Sequence, residues 1–277
     1  MAAGLWAAGC RLGLAGEEYA FANLEHKVGG RVGVMAIDTG DDKQIWYRAD
    51  ERFAMCSTFK WVLAACVLGG VDRGEIELGE ALGYSEEDLL EYAPVAREHV
   101  AQGALPVETL CAAAVSLSDN TAANLLLARI GGPQALTAFL RRCGDEVTRL
   151  DRNEPDLNTN VRGDPRDTTT PRAMAETMRT ILLGEALADD SRGRLQQWLK
   201  DAKTGLARLR AGLPPDWLVG DKTGTGANGA ANDVAIVWPP GRSPILIAAY
   251  LSDSSAAPDV LNAAHEAIAA TVTRNMI

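Results

Sequence analysis

The chain has 277 residues, enough for one large domain or two intertwined ones, and no run of about 18 apolar residues that could span a membrane as a helix. Its 27 Lys and Arg against 37 Asp and Glu leave a net charge of −10, which repels phosphate backbones and argues against nucleic acid as a partner. With 47% apolar and 23% charged residues the composition is globular rather than disordered, and His26, His99 and His265 lie too far apart for a histidine-built zinc site.

At the start, Ala7-Ala8-Gly9-Cys10 has the small-residue pattern that closes a lipoprotein signal, but no Lys or Arg precedes the short apolar run. The expectation is either a start further upstream or a leader already trimmed, with a lipid anchor at Cys10 as an open alternative. Residues 17–28 read as an amphipathic helix. Residues 31–38 and 44–48 read as strands joined by a hairpin turn at Thr39-Gly40-Asp41-Asp42. Helical patterns follow at 57–71, at 107–117 behind Pro106, and at 119–130 up to the breaker Gly131-Gly132-Pro133. Three more lie at 134–142, 171–183 and 191–202. Between them, residues 149–168 (RLDRNEPDLNTNVRGDPRDT) carry two prolines and little periodicity. A loop of about 20 residues inside a compact domain signals function.

Strand patterns return at 217–222, 233–238 and 245–251, and 257–275 reads as a closing helix. No repeat or linker divides the chain. The expected fold class is α/β (α+β), with a mostly antiparallel five-stranded sheet flanked by helices. Residues 1–50 and 205–277 would form the sheet domain. Residues 51–204, with the loop 149–168, would form an inserted all-helical domain, the active site lying between the two.

Five cysteines, Cys10, Cys56, Cys66, Cys111 and Cys143, make an odd count without a C-x-x-C pair, which is neither a disulfide framework nor a metal knuckle. They read as small buried hydrophobes. Cys56 precedes a candidate nucleophile and is either a bystander or a rival; without a His or Lys pattern of its own it reads as a bystander.

Three motifs carry chemistry. Ser57-Thr58-Phe59-Lys60 sets a hydroxyl and an amine three residues apart at the start of an apolar helix. Positions i and i+3 share a face, so the Lys60 amine is expected beside the Ser57 hydroxyl, as a base beside a nucleophile. A helix start adds backbone N–H donors. Ser118-Asp119-Asn120, between two helices, is either a cap or a second proton-transferring hydroxyl with an amide for a substrate carbonyl. Lys222-Thr223-Gly224-Thr225-Gly226 follows a strand. It is either a β-turn or a place where glycines admit a ligand's backbone and the Lys and hydroxyls meet an anion. It lacks the glycine-rich run of a P-loop.

In this order the three motifs resemble the S-x-x-K, S-D-N and K-T-G set of the penicillin-recognising serine enzymes. Glu154-Pro155-Asp156-Leu157-Asn158 in the polar loop resembles the E-x-x-L-N of class A serine β-lactamases, and the resemblance covers nearly the whole chain. It implies that Ser57 is acylated, that Lys60 and Glu154 accept protons, and that Asn158 helps Glu154 hold the hydrolytic water. Ser118 would pass a proton to the β-lactam nitrogen, and Asn120 would contact the substrate side chain. Lys222, Thr223 and Thr225 would surround the substrate carboxylate. The N–H groups of Ser57 and Thr225 would form the oxyanion hole. Tyr92 would wall the cleft, and Arg152 with Asp167 would form the ion pair closing the base of the loop.

The chain departs from the family pattern in places. Many members carry an Arg on the strand after K-T-G; Ala230-Ala231-Asn232 has none, and Arg208 matches the position from which some members supply it instead. Gly226 stands where some members pair a Cys with the position of Cys56. Ala64 stands where others pair with the position of Cys111, and Cys66 would lie on the far side of that helix. No intramolecular disulfide is expected.

The resemblance implies a small-molecule β-lactam substrate, a monomer, no metal or organic cofactor, and a periplasmic or secreted location. The nearest alternative is a D,D-peptidase or transpeptidase, which shares the three motifs but lacks a base dedicated to deacylation; Glu154 with Asn158 argues against it. A non-catalytic antibiotic sensor is normally fused to a membrane span. A structural α/β protein would leave four ordered motifs as coincidence.

Overall fold

The computed structural model describes residues 15–277, so Cys10 and the leader-like pattern lie outside the described residues. Helix α1 (Ala15–Val28) leads into β1 (Arg31–Asp38), β2 (Gln44–Tyr47) and the short β3 (Phe53–Ala54). A single 3-10 turn, Cys56–Thr58, precedes α2 (Phe59–Asp72). Then come β4 (Ala81–Gly83), α3 (Pro94–His99), β5 (Ala104–Pro106), α4 (Val107–Ser116), α5 (Asn120–Ile130) and α6 (Pro133–Arg142). After the polar loop follow β6 (Thr168–Thr169), α7 (Pro171–Leu182) and α8 (Asp189–Lys200). The chain ends with β7 (Leu218–Thr225), β8 (Ala231–Trp238), β9 (Ile245–Ser252) and α9 (Pro258–Met276).

The five long strands form one antiparallel sheet in the order β2-β1-β9-β8-β7, so strands from the two ends of the chain pair at β1 and β9. Both faces of this sheet are buried, which is why its central strands read as continuous apolar runs. On β1, Val32, Val34 and Ala36 pack with Phe21 and Leu24 of α1 and Ile268 of α9. The alternate Met35 and Ile37 pack with the helical cluster around α2. That helix is buried on all sides, from Phe59 through Gly70, and is apolar there except for Lys60, as expected of a central core helix that carries one functional side chain.

Two small ribbons matter for the site. β3 pairs with β6, placing the end of the polar loop beside the segment that leads to Ser57, and Met55 N continues the pairing to Asp167 O at 2.9 Å. β4 pairs with β5.

Besides the short ribbons and small shifts of element ends, the structure differs from the sequence expectations as follows. The α-helix expected from residue 57 begins at Phe59, because Ser57 belongs to the preceding 3-10 turn. The strand expected at 217–222 runs on to Thr225, so Lys222-Thr223-Gly224-Thr225 is strand rather than turn. Helix α3 lies in a stretch without helical periodicity. No helix among the described residues is long and apolar enough to cross a membrane.

Candidate active site

Three elements converge on Ser57: its own turn at the head of α2, the end of β7, and the polar loop. Gly224 explains the fit of β7, since a Cβ there would lie 2.6 Å from Met55 O and 3.1 Å from Ser57 N. Only a glycine lets the strand edge touch the nucleophile's turn. Gly226 is equally constrained; a Cβ there would lie 2.6 Å from Cys56 Sγ and 2.7 Å from Asn158 O.

The Ser57 hydroxyl donates to Glu154 Oε1 at 3.1 Å, and Lys60 Nζ lies 2.9 Å from the same oxygen. The expected direct contact between Lys60 and Ser57 is replaced by this shared carboxylate. Lys60 also donates to Ser118 O at 2.8 Å, to Ser118 Oγ at 3.4 Å and to Asn120 Oδ1. Burial pushes its amine below the usual lysine range, against the pull of Glu154. Asn158 Nδ2 donates to Glu154 Oε2, while Asn158 Oδ1 is buried without a hydrogen-bond partner among the described residues.

Ser118 has φ 60°, and its Oγ accepts from Lys222 Nζ at 3.1 Å, so one hydroxyl touches both lysines. Lys222 is fully buried, and burial together with the charge of Lys60 brings its amine down to about 7. The cap reading of Ser118-Asp119-Asn120 holds for Asp119. Asp119 Oδ1 caps α5 by accepting from Ala122 N at 2.8 Å, and its Oδ2 accepts from Val95 N and Ala96 N of α3. Ser118 and Asn120 are left to face the lysines.

Arg208 reaches the end of β7, donating to Gly224 O at 3.0 Å, Asn232 O at 2.6 Å and Thr225 Oγ1 at 2.7 Å. The Thr223 hydroxyl donates to Thr204 Oγ1 at 2.6 Å. Tyr92 presents an exposed ring, and its carbonyl accepts from Asn120 N at 3.0 Å. Arg152 Nε donates to the buried Asp167 Oδ2 at 2.6 Å, and Asp167 Oδ1 also accepts the N–H groups of Asp151 and Arg152. This pair joins the two ends of the loop, and the Asp167 backbone accepts from Met55 N, two residues before Ser57. Burial pushes the Cys56 thiol up to about 12, so little thiolate is present to rival Ser57.

Sequence reading missed Asn124. Its side chain brackets the Glu154 backbone, Nδ2 donating to Glu154 O at 2.9 Å and Oδ1 accepting Glu154 N at 3.0 Å. The available signal was its place four residues after Asn120, on the same face of α5.

A hydroxyl at a helix head, two buried amines and a carboxylate held by an amide are the equipment of a hydrolase that transfers an acyl group through serine. The chain belongs to the beta-lactamase enzyme family, whose model matches residues 18–276, and within it to the class A serine enzymes. It is 50% identical over 231 residues to Beta-lactamase CTX-M-8 of Citrobacter amalonaticus, covering 83% of this chain and 79% of that one. With Beta-lactamase L2 of Stenotrophomonas maltophilia it shares 51% over 232 residues, 83% of this chain and 76% of that one. The solved ancestral (GNCA) class A β-lactamase superposes with a TM-score of 0.92 at 55% identity, covering 94% of this chain and 99% of the other.

Proposed function

We propose that the chain hydrolyses the amide bond of penicillins and cephalosporins through a Ser57 acyl-enzyme and so confers resistance to them. The observation that carries this reading is the convergence of Ser57 Oγ and Lys60 Nζ on Glu154 Oε1. In the first step Ser57 attacks the strained carbonyl while its proton leaves toward Glu154 or Lys60. The N–H groups of Ser57 and Thr225 stabilise the oxyanion, one such donor being worth about 3–4 kcal/mol. Ser118, in contact with both lysines, then protonates the leaving nitrogen.

In the second step Glu154 takes a proton from water, which cleaves the acyl-enzyme. The unpartnered Asn158 Oδ1, beside a carboxylate that Asn158 itself holds, supports a water position there. Lys222, Thr225 and Arg208 bind the substrate carboxylate. Thr223, whose hydroxyl donates to Thr204 Oγ1, stands beside them on the strand as a further carboxylate-site residue. Asn120 and Tyr92 contact the acyl side chain, and Arg152 with Asp167 holds the loop.

The division into 1–50 with 205–277 and 51–204 is our reading of the helical run that separates β2 from β7. We read the protein as a monomer of the periplasm or exterior, where cell-wall-directed drugs act. The decisive test is a chromogenic cephalosporin mixed with the purified chain. Sustained turnover supports the reading; a single stoichiometric burst would favour a penicillin-binding peptidase.

A further inference from the structure

Between the far half of the polar loop and the segment entering β3 lies a cavity of about 430 Å³, walled also by Ser252 and Asp253 at the end of β9. Sites for small molecules fall in the range of about 300–1,000 Å³. Five arginines line it, Arg31 and Arg52 from the body of the protein and Arg152, Arg162 and Arg166 from the loop. That concentration of guanidinium groups runs against the net charge of −10 on the whole chain.

The carboxylates of the same wall leave much of this charge unmatched. Asp164 belongs to Arg166, which donates to it through Nε at 3.1 Å and Nη2 at 2.7 Å. Glu51 pairs with Arg48, outside the lining, at 2.8 Å and meets Arg31 at 3.4 Å. Asp253 is divided between Arg31 and Arg162, each at 3.5 Å. Charge-assisted hydrogen bonds are shorter, about 2.7–2.9 Å. The buried Oδ2 of Asp253 and the buried Nε of Arg31 make no hydrogen bond among the described residues. Arg52 donates to two neutral oxygens, Val147 O and Thr168 Oγ1, both at 3.0 Å, so no carboxylate offsets its charge there.

The loop and the body thus each bring to one cavity a guanidinium that is weakly paired at best, Arg162 and Arg52. Like charges around a shared space repel one another, and an anion between them turns that repulsion into attraction. The planar fork of a guanidinium matches the oxygens of a phosphate group.

We propose that this cavity is a second binding site, for a small soluble phosphate-type oxyanion carrying two or more negative charges. Arg52 and Arg162 hold the anion, with Arg31 beside them, and the bound anion staples the polar loop to the body. Arg208, Lys222 and Thr225 of the carboxylate site do not line this cavity. Leu157 and Asn160 do, on either side of the Asn158 that holds Glu154, so the staple acts on the part of the loop that carries the general base.

The test titrates the full chain with pyrophosphate by calorimetry, sodium chloride keeping the ionic strength constant. No substrate is present, so the outcome is independent of the hydrolase reading. One saturable site is expected, with amide hydrogen exchange slowed across residues 159–166. Arg162→Glu and Arg52→Gln should each raise Kd by about 10-fold or more, the equivalent of one lost charge-assisted hydrogen bond. Arg208→Ala, which strips the carboxylate site of its guanidinium, should leave Kd within about twofold. Should Arg52→Gln not fold, Arg162→Glu decides alone, because its side chain is 77% exposed.

Absence of saturable binding at millimolar pyrophosphate would overturn the proposal. So would binding that Arg208→Ala abolishes and Arg162→Glu spares, which would place the anion in the carboxylate site. Binding without any slowing of exchange in the loop would overturn the staple.

Discussion

Lys60 Nζ and Glu154 Oε1 are 2.9 Å apart, and solvent reaches neither side chain. Such a buried pair is stable only as a pair, because removing one partner leaves a desolvated charge, at a cost of about 3–5 kcal/mol. The amine has a way out that the carboxylate lacks. Already pushed down by burial, Lys60 can release its proton when Glu154 is gone and become a neutral amine facing the nucleophile's side of the site. The two proton acceptors are thus coupled, yet separable by mutation.

Ser57→Ala should lower turnover by on the order of 10⁶-fold, the scale seen when a serine nucleophile is removed. The fold should survive, since the change deletes one hydrogen bond to Glu154, worth about 1 kcal/mol. Residual substrate binding by calorimetry and an unchanged circular dichroism spectrum are the expected controls. Full hydrolysis by the clean variant would point to another nucleophile.

The Lys222 amine, held near about 7, gives activity and stability opposite pH trends. As pH rises above this value the free enzyme loses the positive charge that meets the substrate carboxylate, so kcat/KM for an anionic substrate should fall. Lys222→Arg, which stays charged, should flatten that limb. The unfolded chain keeps its lysine protons up to about 10.4. Between these values the unfolded state binds more protons, so this group's contribution to unfolding free energy increases with pH. A kcat/KM profile flat to about pH 9 in the unmodified enzyme would contradict the assignment.

All cysteines should be free. Cys56, Cys66 and Cys111 are buried thiols and Cys143 is half-buried. Burial pushes Cys66 up to about 11 and Cys56 to about 12, so of the four cysteines among the described residues a thiol reagent should label the half-buried Cys143 first in the native protein. Titration after unfolding without reductant should find all five thiols of the chain. Two missing would reveal a disulfide.

Most of the sheet was legible in the sequence because β1, β8 and β9 are buried on both faces, and continuous apolar runs bounded by turns announce such strands. Helix α3 was not, since its start is capped by Asp119, over 20 residues away, rather than by a neighbour. The two-residue strands β3 and β6 are too short for any periodicity. Gly224 read either as a turn or as an opening for a ligand's backbone, and the structure uses it for a close approach of the strand to Ser57 N. Within the site, the motif residues stood out only together, through the family resemblance that the ordered set carries; each motif taken singly left a structural alternative open. Thr204 did not stand out, because it acts through a long-range hydrogen bond that no local pattern encodes, and Asn124 offered only its i+4 spacing from Asn120.

The covalent route and its division of labour stand or fall on Glu154→Ala. With Lys60 left to serve acylation, and general-base assistance worth about 10²–10⁴-fold, deacylation should slow far more than acylation and the acyl-enzyme should become the resting state. Intact-mass spectrometry after mixing this variant with a penicillin should show one added drug mass, located on the peptide that contains Ser57. Slow turnover without an accumulated adduct would mean that Glu154 is needed for acylation itself, and would contradict the account.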